Sequence, residues 1–376
     1  MSQYINVIYT AVFFFPFLAL LLTLPILLVN YHRYGALPKW NIFVLYTFVF
    51  YMLCAYFLTI LPLPSRSFVA HLTTPTHNFV PLMFITDFIK YNPFSLFHPG
   101  TWLAALKAPT VIQPAFNILL TVPFGFYLHY YFQRSWQQTL LLSFCLSLFF
   151  EMTQYTGLYG FYPRPYRLFD VDDLLLNTTG GLLGYWITNW LRRILPSPQK
   201  DQAHALSRNR SISGLRRLTA LAIDWLLIIF VSSLISIILQ SNNDDWTTTL
   251  MAWFILIIIP EIFFQRSIGM QLVRIRVTNK FGHRAGWYQV IIRNLFSYGI
   301  IGGTFYATIK LLDLTGTAPQ SQLSLIHWGI LATTLVLLLI VVDLLIDSFA
   351  SRHRLFFEHL SGTDTKSRAD QLVNSK

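Results

Sequence analysis

Nine stretches of this chain are long, mostly apolar and poor in charge, and that repetition limits the possible folds more than any other feature. They fall near residues 10–30, 41–62, 112–131, 138–157 and 172–191, and then near 217–240, 249–264, 290–311 and 324–346. A bilayer core about 30 Å thick needs roughly 20 mostly apolar residues per helix. The runs therefore predict an all-α, polytopic transmembrane helical bundle of about nine spans. The 249–264 run is short and is interrupted by Pro260. Only 11% of residues are charged while 54% are hydrophobic, and a soluble domain carries about a quarter charged residues. This excludes a soluble domain of any size. Met1 to Thr10 lacks the basic start of a signal peptide and the first run continues past Leu28, which predicts an uncleaved helix.

The basic residues lie between the runs. With the N-terminus outside, the segments 31–40, 132–138, 192–217, 265–293 and 350–376 face the cytoplasm and hold 21 of the 27 Lys and Arg residues. That bias satisfies the positive-inside rule for all nine spans and predicts a multi-pass protein of the cell membrane with a cytoplasmic C-terminus. It also accounts for the net charge of +11 without nucleic acid. The segment 192–217 has no interleaved aromatic residues to stack bases, and membrane lipids, above all anionic ones, are the expected partners. The chain divides into a five-span domain (1–195), a basic polar linker (196–213), a four-span domain (214–365) and a polar tail (366–376). The stretch LVRIRVTNK (272–280) alternates at period two and predicts a small cytoplasmic strand or hairpin. The proline-rich segment 63–111 predicts an outer loop whose Phe84–Phe97 stretch lies at the interface.

Several chemistries are excluded. Cys54 and Cys145 both fall within spans and cannot build a disulfide framework or a metal site. The pairs His71/His77 and His353/His359 lack metal-ligand spacing. There is no phosphate-binding loop, dinucleotide fingerprint or nucleophile elbow. No metal and no cofactor is predicted.

Ionisable groups inside spans are costly and mark function by default. Glu151 and Gln154 share one helix face. Asp170, Asp173 and Asn177 follow at i, i+3 and i+7 at the outer end of the fifth span, with Gly180, Gly181 and Gly184 continuing that face for close helix contact. Asn117 and a kink at Pro123 come from the third span. Together Asn117, Glu151, Gln154, Arg167, Asp170, Asp173 and Asn177 predict an outward-opening ligand pocket. Asp172 points elsewhere, into the loop with Arg164. The alternative to a pocket is an internally satisfied network, with Arg167 paired to Asp170 and Asp173 capping the helix. The segments NFVPLMFITDFI, FNILLTVPFGF, FFEMTQY and RLFDVDDLLLNTTGGLLGY resemble the VanZ-like family over roughly 10–195. The resemblance implies lowered susceptibility to teicoplanin-type lipoglycopeptides, with such an amphiphile or a cell-wall precursor as partner in a Gram-positive bacterium.

In the second half, Arg217 lies at the inner edge of a span, and Asp224 two turns deeper with Arg293 as its candidate partner. Asp343 and Asp347 share a face of the last span. LRRLTALAID, RSIGMQLVRIRVTNKFGHRAGWYQVIIRN and FEHLSGT resemble the RDD family over roughly 213–365. The resemblance implies roles for Arg217, Asp224 and Glu358, with Glu358 standing where the family has an aspartate; with Arg293 these form the predicted polar site. Three functions remain open. The first is an envelope protein that binds an amphiphile through the outer pocket. The second is an ion or small-molecule transporter using Asp224, Asp343 and Asp347. The third is an intramembrane enzyme with Glu151 and Asp173 as its acid–base pair.

Overall fold

A computed structural model describes residues 2–207, 212–240, 246–349 and 354–367. Linker residues 208–211, the Asp347 side chain, His353 and residues 368–376 lie outside the described residues. Among the described residues, nine long helices occupy the nine apolar runs: α1 (Ser2–Tyr34), α2 (Lys39–Ile60), α3 (Pro109–Tyr130), α4 (Trp136–Tyr155), α5 (Val171–Leu191), α6 (Gly214–Leu239), α7 (Trp246–Phe264), α8 (Trp287–Thr315) and α9 (Gln320–Phe349). Seven of them are long and apolar enough to cross a membrane. The other two, α4 and α5, have 20 and 21 residues and so reach span length. They fall short in hydropathy because they carry the buried polar residues Ser143, Ser147, Glu151, Gln154, Asp172 and Asn177.

Local chemistry sets the helix ends. Ser135 and Gln138 form a capping box at the start of α4, Asp170 caps α5 by accepting from Asp172 N, and Ser213 caps α6. Helix α3 opens with Pro109, whose missing N–H costs nothing at that position. Its internal Pro123 disturbs the preceding turn, where the Tyr51 hydroxyl donates to Leu120 O at 2.7 Å. Among the described residues two π-turns, Phe254–Ile258 in α7 and Leu295–Gly299 in α8, interrupt the α geometry, the first ending two residues before Pro260.

The chain forms two compact units, residues Met1–Leu21 with Lys39–Asp201, and Leu22–Pro38 with Gln202–Lys376. Within the first unit, α5 packs closely on α3 and α4 through glycines. A Cβ on Gly125 would lie 1.7 Å from Gly181 O, and one on Gly184 would lie 2.0 Å from Val122 O. The expected glycine-lined contact is therefore present. A short parallel bridge pairs β1 (His77–Asn78) with β2 (Phe169–Asp170). In the second unit, Tyr31, Ala220, Ile223, Met270, Val273, Ile275 and Val277 form one core. The alternating stretch forms strand β3 (Ile275–Asn279), as its period predicted. Its antiparallel partner is β4 (Thr363–Ser367), so it closes a long-range sheet rather than a local hairpin. The linker contains a helix, Pro198–Ser207, held by Asp201, which accepts from Asn41 N at 3.0 Å.

Candidate binding site

The first unit encloses a cavity of about 860 Å³. Its floor is the start of α5 and the first half of α3. Asn117 donates a short hydrogen bond to Asp173, and the Asp173 carboxyl also faces that of Glu151, which is 2% exposed. Glu151 accepts from Asp170 N at 3.0 Å. The β1–β2 register sets Asn78 against Asp170, and its amide donates to the Asp170 carboxylate at 3.2 Å. Burial pushes the Asp170 carboxyl above the usual carboxylate range, against the hydrogen bonds it accepts from Asp172 N and Asn78.

One wall is the helix Met83–Tyr91, which turns Met83, Phe84 and Asp87 to the cavity. Asp172 holds this wall by accepting from Leu82 N at 2.6 Å and Phe84 N at 2.9 Å. The cavity is lined by four aspartates, Asp87, Asp170, Asp172 and Asp173, and by Arg167. The Arg167 guanidinium is committed to Thr59 O and Leu61 O at 2.7 and 3.0 Å. Among the described residues none of these acids makes an ion pair. The cavity is therefore an acidic recess that favours a donor-rich or cationic group. Its rim is apolar: Phe68 and Met83 are 61% and 42% exposed, with Leu72 also lining it.

In the second unit, Arg217 and Glu358 form a buried ion pair at 2.9 Å, and Arg293 lies 4.0 Å from the same carboxylate. Glu358 also accepts from Leu355 N at 3.2 Å and from the Thr365 hydroxyl. Asp224 accepts from Ser267, Gly269 N and Tyr298.

Residues 48–192 match the profile described as VanZ/LLP1, and residues 213–361 match that of the RDD family. The chain joins a VanZ-like half to an RDD half. It is a multi-helix membrane protein. No curated protein and no solved structure gives a significant match.

In the VanZ-like half, Asn117, Arg167, Asp170 and Asp173 line the cavity together, and Glu151 sits directly behind them. Gln154 and Asn177 do not reach it: Gln154 donates to Thr59 O, and Asn177 donates to Ser147 one turn deeper along α5. The proposed internal pairings are not formed. Arg167 caps the end of α2 instead of pairing with Asp170, Asp170 rather than Asp173 caps α5, and Arg164 binds Leu72 O and Thr74 O rather than Asp172. Asp87, Asn78 and Gln113 also line the cavity and were not singled out by the sequence. Asp87 lay in plain view within NFVPLMFITDFI. In the RDD half, Arg217, Arg293 and Glu358 meet, while Asp224 takes hydroxyl and backbone partners in place of Arg293. Asp343 accepts from Phe356 N at 3.2 Å and so anchors the helix Phe356–Ser361.

Proposed function

We propose that the VanZ-like half binds the polar head of an amphiphile in its acidic cavity, and that this lowers susceptibility to teicoplanin-type lipoglycopeptides. The observation that carries the reading is the joining of an aspartate floor without ion pairs to an exposed apolar rim in one cavity of about 860 Å³. That volume lies in the range of small-molecule pockets, roughly 300–1,000 Å³. A lipoglycopeptide, or a lipid-linked cell-wall precursor, presents a donor-rich head to the floor and an acyl chain to the rim. The distribution of basic residues supports an N-terminus outside, a cytoplasmic C-terminus and a cavity open to the outer face of a Gram-positive cell membrane.

The test is lipoglycopeptide susceptibility in a Gram-positive strain lacking the protein, complemented by the whole chain or by Asp173→Asn. The asparagine keeps an acceptor for Asn117 but removes the charge. Deletion raises susceptibility, the wild-type chain restores tolerance, and the variant at equal membrane abundance does not. Unchanged susceptibility on deletion, or full rescue by Asp173→Asn, would refute the proposal.

A further inference from the structure

The sheet of the RDD half sets two cations face to face. Its register places Arg276 directly opposite Lys366 and Thr278 opposite Asp364. Opposed side chains on an antiparallel pair are near neighbours, and like charges there repel. Ile275, Val277, Thr363, Thr365 and Ser367 are buried on one face; Arg276, Lys366 and Asp364 are half-buried on the other, beside the buried Thr278. The carboxylate on that face is already engaged, because Asp364 lies 3.5 Å from Arg354. Among the described residues neither Arg276 nor Lys366 has an acidic partner or a hydrogen bond through its side chain.

Both side chains are half-buried. The Arg276 Nε is buried without a partner. The Lys366 ammonium rests on the turn at Gly282, where φ is +87° and a Cβ would lie 2.4 Å from Nζ. Arg216 ties the sheet to the first turn of α6, donating to Val273 O at 2.8 Å and Arg274 O at 3.1 Å. The pair thus sits at the end of a span, where lipid headgroups lie. Phe281, next to Gly282 in the chain, and Trp287, at the start of α8, are 72% and 66% exposed, as aromatic residues at a membrane interface are.

We infer that Arg276 and Lys366 form a phosphate-binding clasp, occupied by the headgroup of an anionic phospholipid. A guanidinium fork beside an ammonium suits phosphate oxygens, and a bound anion cancels the cross-strand repulsion. The same chemistry fits a free phosphate, and the test separates the two sources. The full chain is placed in nanodiscs of phosphatidylcholine, with or without phosphatidylglycerol. Thermal midpoint and lipid retention in native mass spectrometry are then read. Phosphatidylglycerol raises the wild-type midpoint. In Arg276→Gln/Lys366→Gln that shift is lost and lipid affinity falls about tenfold, equivalent to ~1.4 kcal/mol. Arg274→Gln/Lys280→Gln removes the same charge from exposed positions and keeps the shift. In phosphatidylcholine alone the first double variant melts no lower than wild type, because the repulsion has gone. If inorganic phosphate at matched ionic strength reproduces the shift in wild type and not in the first variant, the clasp stands with a soluble anion as its occupant. Equal stabilisation of both double variants by phosphatidylglycerol would overturn the inference.

Discussion

Replacing Gly180 with alanine perturbs the site without touching any group that lines it. The added Cβ would lie 2.2 Å from Ile118 O and 2.3 Å from the Thr121 hydroxyl, both on α3. Ordinary contact begins near 3.4 Å, so α3 and α5 must separate by roughly 1.2 Å, the difference between those distances. The Thr121 hydroxyl donates to Asn177 O at 2.6 Å, and the same displacement carries that bond past its working limit. Overpacking costs about 1–3 kcal/mol, and loss of the interhelical hydrogen bond adds about 0.5–1.5 kcal/mol while Thr121 keeps Ile118 O as an acceptor at 3.2 Å, for a total on the order of 2–4 kcal/mol. Asn117 adjoins Ile118, so its bond to Asp173 opens with the same motion. The assay is thermal unfolding in mild detergent, followed by the susceptibility measurement. Gly303→Ala is the control, since nothing lies within 4 Å of its Cβ and the helix gains up to ~1 kcal/mol. A Gly180→Ala protein that melts like Gly303→Ala would refute the claim that close approach of α3 and α5 builds the cavity floor.

Asp172→Ala strands the amides of Leu82 and Phe84. It should loosen the helix Met83–Tyr91 by ~1–3 kcal/mol, seen as faster hydrogen exchange across that segment with α3 unchanged. Glu358→Gln removes the buried carboxylate that pairs with Arg217 at 2.9 Å and should cost ~3 kcal/mol or more, read as a lower melting temperature that Glu358→Asp partly restores. Burial raises the Asp170 pKa. A raised carboxyl contributes stability that is fully present below its unfolded value and lost as pH climbs through the folded one. Asp170→Asn should therefore flatten that fall in melting temperature from acid pH upward; an unchanged profile would exclude Asp170 as its source.

The spans were readable because their signal is local: each apolar run decides its own helix. The polar face of α5 was readable for the same reason, since helical spacing places Asp173 and Asn177 together and the glycines below them. What the pattern could not supply was partners across long intervals. Sequence proximity suggested Arg167 for Asp170, yet the last carbonyls of α2 have no donor within their own helix, and Arg167 and Gln154 fill that need at Thr59 and Leu61. The wall formed by Met83–Tyr91 depends on Asp172, about ninety positions away, and on a two-residue strand bridge. Neither leaves a periodic trace. The partner of β3 was hidden likewise, because β4 is a short polar segment at the far end of the RDD half.

The second unit is discontinuous: it takes residues Leu22–Pro38 from ahead of the VanZ-matched segment, and Tyr31 belongs to its core. A gene break in the linker would strip that core of a wall while leaving the matched RDD segment entire. A fragment begun at that point is therefore expected to be less stable than the same segment within the whole chain, because Tyr31 comes only with the first helix.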